Sequence, residues 1–219
     1  IIRPGAPNQL PRSLTRGTLA AVDAGDFSSW FTGEGRAVTS VDLYQQIIDL
    51  PETLIGEILD GRLYTRRVGL PGRHAVAKME LTMRLFLPFD RGRDGPGGWR
   101  LISRMEVHFV RDTEVAVPDL IGWHRQRMPQ LPEGHRIEVV PDWVCEILTQ
   151  ETAETVRNIK MPLYLQRGIR HAWLLDPDAQ TLEAFEAGEG AWHQVGRAAG
   201  NDLVTFPPFE AVSFPLQEL

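Results

Sequence analysis

Three acidic side chains interrupt apolar segments of this 219-residue chain: Glu57 in LIGEIL, Asp119 in VAVPDLIGW and Glu146 in WVCEIL. Burying an unpaired carboxylate costs several kcal/mol unless the group is paired, protonated or bound to a metal. Each acid taken singly admits an ordinary explanation: a solvated strand face, an ion pair with an arginine, or a twisted strand end. The three together point to acids converging on a cation. Oxygen donors without His or Cys suit a hard ion, Mg2+ or Mn2+.

Asp142 is the rival acid, because it too follows a proline. Four residues of strand separate it from Glu146, so the two share a face but lie ~13 Å apart. Ligands of one ion lie within ~5 Å of each other. Asp142 is therefore read as a turn or strand-start residue. Lys160 is of interest because the chain has only one other lysine, Lys78; the remaining basic side chains are arginines. A lysine brings a compact charge whose pKa can be tuned, whereas arginine stays charged. The ordinary reading of Lys160 is a surface lysine on a helix.

The elements that must position these groups follow from local pattern. Val41, Leu43, Tyr44, Ile47 and Ile48 give a helix over 40–49, capped by Thr39 or Ser40 and ended by Pro51. Asp60-Gly61 between apolar runs predicts a hairpin of strands 54–59 and 62–67. Residues 74–89 read as an amphipathic helix with Ala77, Leu81, Leu85, Val76 and Met83 in its apolar stripe. The Gly-rich loop 90–98 precedes no helix, so it reads as a turn and not a phosphate cradle.

Strands are expected at 99–103, 105–111, 114–123, 136–140 and 143–149, with Val115, Val117, Asp119 and Ile121 on one face. A helix over 152–167 should end near Gly168 and be kinked or broken by Pro162. Segments 169–177, 181–187 and 191–196 read as a β-meander, with a closing strand near 209–214. The order indicates an α/β or α+β domain on a central mixed sheet. Residues 1–36 read as an extension or arm, with a short helix near 16–24 and Trp30 and Phe31 as packing points, before a domain over 37–219.

Composition limits the function classes. The formal net charge is −6, so the whole chain is not a basic nucleic-acid binder. The charge is uneven: 73–111 carries eight Arg or Lys against four acids, and 174–219 carries eight acids against Arg197. An anionic partner can therefore be accommodated on one face. A single cysteine, Cys145, rules out an intrachain disulfide and reads as a small buried hydrophobe. No apolar run approaches the ~20 residues of a membrane span, and a soluble, cytoplasmic setting is expected. Zinc, thiol, nucleophile-elbow and dinucleotide signatures are missing: there is no H-E-x-x-H, C-x-x-C, G-x-S-x-G or G-x-G-x-x-G.

A series of segments between residues 39 and 177 carries a resemblance: a helix followed by GEILDGRLY, then GRHAVAKMELTMRLF, VPDL, VPDWVCEIL and RNIKMPLYLQRGIRHAWLLDP, the last the most specific. In this order they resemble the PD-(D/E)XK nuclease superfamily, and within it the bacterial branch described as "putative restriction endonuclease". The resemblance implies a restriction-endonuclease-like α/β (α+β) core, with an early β-hairpin and a C-terminal β-meander. It implies a Mg2+- or Mn2+-dependent endonuclease that hydrolyses DNA as a homodimer.

Carried over residue by residue, Asp119, Glu146 and Glu57 become metal ligands and Lys160 the catalytic lysine. Two departures stand out. The strand position that supplies the superfamily's lysine is Leu148, and the branch is understood to take its lysine from the next helix. TQET at 149–152 replaces a Ser-Pro-Ser stretch. Arg73, His74, Arg91 and Arg93, with Arg62, Arg66 and Arg67, are candidate phosphate contacts; a capping or packing role is open for His74. Two other classes remain: an inactive nuclease-fold DNA-binding or transposon-associated protein, and a carboxylate-pair hydrolase acting on a non-nucleic substrate.

Overall fold

The computed structural model describes residues 40–68 and 72–219. The expected arm at 1–36, its helix near 16–24, Trp30, Phe31 and the cap Thr39 lie outside these residues. In chain order the elements are α1 (Ser40–Ile48), β1 (Leu54–Leu59), β2 (Arg62–Arg67), α2 (Gly72–Leu85) and a π turn over Phe86–Asp90. Strands β3 (Trp99–Ser103), β4 (Glu106–Val110), β5 (Glu114–Ala116), β6 (Leu120–His124), β7 (Arg136–Ile137) and β8 (Trp143–Ile147) follow. Then come α3 (Ala153–Thr155), a second π turn (Val156–Lys160) and α4 (Met161–Gln166). The chain ends through β9 (His171–Asp176), β10 (Thr181–Gly188), β11 (Ala191–Ala199), β12 (Leu203–Val204) and β13 (Phe214–Pro215). Among the described residues no helix is long and apolar enough to cross a membrane.

The hairpin forms as its turn chemistry requires. Leu59 pairs with Arg62, and Asp60 and Gly61 take φ of 50° and 67°, the positive values of a two-residue turn. Instead of one central sheet, the strands divide into two mixed sheets, ordered β2-β1-β5-β4-β7 and β11-β10-β9-β8-β6-β3. The expected continuous strand 114–123 is interrupted at Val117-Pro118-Asp119, where the chain leaves the first sheet and enters the second. Pro118 lacks the N–H that a central strand position needs, so the ladder breaks there. Asp119 consequently ends a crossover and does not alternate within a strand. The segment 136–140 keeps only the two residues of β7, parallel to β4 and in the sheet that β8 does not share.

Strand β8 is central and runs parallel to β9 and antiparallel to β6. Cys145 and Ile147 pack with α2 and the C-terminal Phe209 and Phe214, while Val144 and Leu148 pack on the other side with Tyr164, Leu174 and Trp123. Both faces are covered, which accounts for the near-continuous apolar run around Glu146. In α2 the buried face is His74, Ala77, Leu81 and Leu85. Val76 and Met83 are corrected: they are about half exposed, at 50% and 56%, because the stripe facing β8 is narrower than the sequence suggested. The closing strand also departs from expectation, since β13 pairs with β12 in a separate two-stranded sheet.

Both π turns contain or adjoin a proline. Pro88 lies within the first, and Pro162 is the second residue of α4. A proline cannot supply the usual helical hydrogen bond, and the wider π turn accommodates the loss without ending the helix. The break expected at Pro162 therefore takes the form of a bulge, with Lys160 as its last residue.

Candidate active site

Glu57, Asp119 and Glu146 converge. All three are buried, at 4%, 3% and 3% exposure, and all line one cavity of about 110 Å3 with Lys160, Arg66, Tyr64 and the start of the helical segment 151–156. Each comes from a different turn of the topology. Glu57 is mid-strand in β1, opposite Tyr64 of β2. Asp119 closes the crossover into β6. Leu120 pairs with Cys145, so continuing the antiparallel register by one residue sets Asp119 opposite Glu146. Glu146 shares its face of β8 with Val144 and Leu148.

Lys160 is the surprise of the site. It is not a surface lysine: its side chain is 3% exposed, and its Nζ lies 2.8 Å from Glu57 Oε1 and 2.7 Å from Glu146 Oε1. Tyr164, one helical turn later, donates its hydroxyl to the same Glu146 oxygen. The ion-pair explanation for Glu146 thus holds in part, with lysine in the place foreseen for arginine. Glu57 Oε1 also accepts the Val117 N–H at 2.7 Å, which ties β1 to the crossover.

Asp119 is held from several sides. Its Oδ2 accepts the Ile147 N–H at 3.0 Å, and its Oδ1 lies 3.3 Å from Lys78 Nζ and 3.8 Å from Arg66 Nη2. His74 Nε2 donates to the Ile147 carbonyl at 2.9 Å and stands 3.6 Å from Asp119 Oδ2. Arg66 also donates to the Val117 carbonyl at 2.9 Å and lies 3.9 Å from Glu57 Oε2.

These contacts set the electrostatics. Burial raises the Glu146 carboxyl; Asp119 and Glu57 reinforce this, and Lys160 only partly opposes it. Burial would lower Lys160, but the two carboxylates outweigh it, so the ammonium keeps its proton. Asp119 moves the other way. Burial favours its neutral form, yet His74, Arg66, Lys78 and the Ile147 N–H hold it well below the ordinary carboxylate range. Lys78 is lowered by burial, with help from the charges of Arg104 and Arg66. The Tyr164 hydroxyl is pushed well above its usual value by burial and the adjacent carboxylates.

Among the described residues no three or more His, Cys, Asp or Glu side chains are placed to hold an ion. In this cavity the Lys160 ammonium stands between two of the carboxylates. The donor chemistry still fits a hard divalent cation: three buried carboxylates facing one cavity, with no soft ligand among them.

The other sequence candidates fall in three places. Asp142 lies outside the cavity, where it accepts His124 N–H at 2.9 Å and pairs with Arg127. Leu148 is 1% exposed and fills the core. Arg73, Arg91 and Arg93 are exposed, the last two beyond the far end of α2, while His74 is buried and turned toward Ile147. Sequence reasoning gave Tyr164 no role, placed Lys78 only in the basic stretch 73–111, and took Arg66 as a phosphate contact. A signal existed for two of them: Lys78 follows His74 by four residues and Tyr164 follows Lys160 by four, the spacing that stacks side chains on one helical face.

No curated protein matches this chain. Of solved structures, a putative nuclease belonging to DUF820 from Anabaena variabilis is similar at 22% identity, covering 80% of this chain and 95% of that one, with a TM-score of 0.61. At that identity the likeness concerns the fold. The family model named Uma2, described as "Putative restriction endonuclease", matches residues 41–217, which include every residue of the cavity, and the chain belongs to that family.

Proposed function

We propose that this chain is a Mg2+- or Mn2+-dependent endonuclease that hydrolyses phosphodiester bonds of DNA. The observation that carries the reading is the meeting of Glu57, Asp119 and Glu146, two acids from separate strands and one from the crossover between sheets, around Lys160 in one cavity. Asp119, Glu146 and Glu57 would hold the ion. Bound there, it would lower the pKa of a water and stabilise charge developing on the phosphate.

The chain's own groups supply the rest. Lys160 would orient or deprotonate the attacking water and neutralise negative charge; before the ion arrives its two carboxylates keep it an ammonium. Tyr164 fixes the Glu146 oxygen from behind. His74 and the Ile147 N–H fix Asp119 against β8. Arg73 stands at the start of α2, and Arg91 and Arg93 follow its end, about 21 Å further along for its 14 residues at 1.5 Å each, whereas His74 is turned inward to Ile147. A duplex lying along α2 would meet cations at both ends, which supplies affinity without reading sequence. A homodimer would present two such sites to the two strands.

Divalent-dependent nicking of supercoiled plasmid tests the reading. We expect nicking with Mg2+ or Mn2+, none in EDTA, and none with Asp119→Asn. A preparation that binds duplex but never nicks with either ion would favour an inactive nuclease-fold DNA-binding protein. The observation on that side is that Lys160, Lys78 and Arg66 already match the three carboxylates. Hydrolysis of a non-nucleic substrate without metal would overturn both.

A further inference from the structure

Helix α2 carries apolar side chains on two opposite faces. Ala77, Leu81 and Leu85 pack inward. Val76, Met79, Met83 and, in the π turn, Leu87 recur at spacings of three and four residues on the outer side, where they are 50%, 55%, 56% and 44% exposed. Ala75 beside them is also exposed, and Thr82 and Phe86 are half-buried. The charged side chains of the helix stand on its flanks. Lys78 reaches Asp119 at 3.3 Å, and Arg84 pairs with Glu218 and lies 4.0 Å from Glu80. A helix that is apolar all round is normally buried, and a contiguous apolar stripe on a surface marks an interaction site. Methionine and aromatic side chains without charge are the composition of an interface centre.

The order of residues in the stripe says what covers it. Counted from Leu81, Met79 and Met83 lie two residues to either side, Val76 and Phe86 five, and Ala75 and Leu87 six. Turned end for end, the stripe therefore matches itself. A twofold interface requires this self-complementarity, in which one residue meets a second and the second meets the first. The steps 76, 79, 83 and 86 are also those of a two-helix seam. An antiparallel pair sets the positive end of one helix beside the negative end of the other. A duplex does not cover the stripe, because it offers no donor to a phosphate.

We propose that the stripe is the seam of a homodimer, in which two copies of α2 pack antiparallel about a twofold axis at the level of Leu81. Met79 of each copy meets Met83 of the other, and Ala75 and Val76 meet Leu87 and Phe86. The proposal rests on the homodimer of the reading above and not on its chemistry. Arg73, Arg91 and Arg93 stay outside the seam, at its ends. There Arg73 of one copy comes beside Arg91 and Arg93 of the other, and salt screens their repulsion.

Sedimentation velocity at physiological salt, on wild type and on Met79→Glu with Met83→Glu, tests the surface. Both positions are more than half exposed, so the fold is kept, and circular dichroism checks it. We expect a wild-type dimer, and pairing weakened at least about a hundredfold in the double variant, because like charges set face to face oppose association strongly. Disulfide trapping tests the register. Met79→Cys and Met83→Cys are oxidised with diamide, each alone and after mixing and subunit exchange; Cys145 is buried and stays out of reach. The linked dimer should form chiefly in the mixture, where the two thiols lie at facing positions.

A wild-type monomer overturns the proposal, and so does a dimer that the two glutamates leave intact. Trapping no better in the mixture than in either variant alone overturns the antiparallel seam. If the glutamate pair does not fold, the cysteine mixture decides. Plasmid nicking by the wild type is scored separately. A monomer that nicks removes this proposal and leaves the nuclease reading standing; a dimer paired through the stripe that never nicks does the reverse.

Discussion

The pair Glu146→Gln and Lys160→Met separates the carboxylate from its counter-ion. Glutamine is nearly isosteric, and its Oε1 can go on accepting from Lys160 and Tyr164. It removes a charge that burial disfavours, and Glu57 remains opposite Lys160 at 2.8 Å. We expect Glu146→Gln to change stability at pH 7 by no more than about 1 kcal/mol, within the range of an ordinary hydrogen bond. Lys160→Met instead removes the ammonium shared by two buried carboxylates. Breaking a buried pair in this way costs about 3–5 kcal/mol. At about 2–4 °C per kcal/mol for a domain of this size, that is a fall of roughly 6–20 °C.

Thermal melts in EDTA, across a pH series, measure both. The folded Glu146 carboxyl lies above its ordinary value of 4.5. The stability it contributes is therefore fully present below pH 4.5 and is lost as pH rises through its raised folded value. Glutamine has no such loss, so the melting temperature of Glu146→Gln relative to wild type should climb with pH from 4.5 upward. A drop of about 10 °C at pH 7, growing with pH, would mean that the fold requires ionised Glu146 and would refute this reasoning.

Asp119 has the opposite sign. Its folded pKa is held below the ordinary 3.8, so its contribution is present above that value and lost as pH falls. Asp119→Asn should cost about 3–5 kcal/mol at pH 7 in melts, shrinking below pH 3.8, since it leaves Lys78 and Arg66 facing each other. Lys160→Ala should lower single-turnover cleavage by about 10²–10⁴-fold. Lys160→Arg should fail to restore the rate, because a guanidinium is bulkier and cannot give up its proton. Reversing Arg91 and Arg93 to Glu should weaken binding equally for unrelated duplexes. The slope of log affinity against log salt should shrink by about 0.9 for each phosphate no longer neutralised; an unchanged slope would place the duplex elsewhere. Light scattering should give the mass of a dimer, and a monomer at assay concentration would remove the two-site arrangement.

Local chemistry made much of the fold legible. Asp60-Gly61 fixes its hairpin because only certain residues accept positive φ at both positions, and Gly168 ends its helix with a φ of 80° for the same reason. What the sequence concealed is the division into two sheets. Pairings such as Leu120 with Cys145 join residues far apart in the chain, and no local period encodes them. Pro118 was the visible sign, but alternation on either side of it looked continuous.

The site followed the same division. Its acids stood out because a charge inside an apolar run is locally anomalous. Arg66, Lys78 and Tyr164 did not, because each is an ordinary residue for an amphipathic strand or helix until the acids are placed beside it.

Leu148 shows why, in the proposed reading, the lysine would come from the helix. It shares a face of β8 with Glu146 but is packed in the cluster of Val144, Val156, Met161 and Tyr164. A lysine there would have to carry its charge out of that cluster to reach the cavity. The π turn ending at Lys160, set against Pro162, instead delivers the ammonium to the carboxylates while Leu148 stays in the core. Tyr164, one turn on, both packs in that cluster and donates to Glu146. In the proposed reading the helix that takes the place of the strand lysine also contributes the Tyr164 hydroxyl that holds Glu146, and a change to the π turn should disturb Lys160 and Glu146 together.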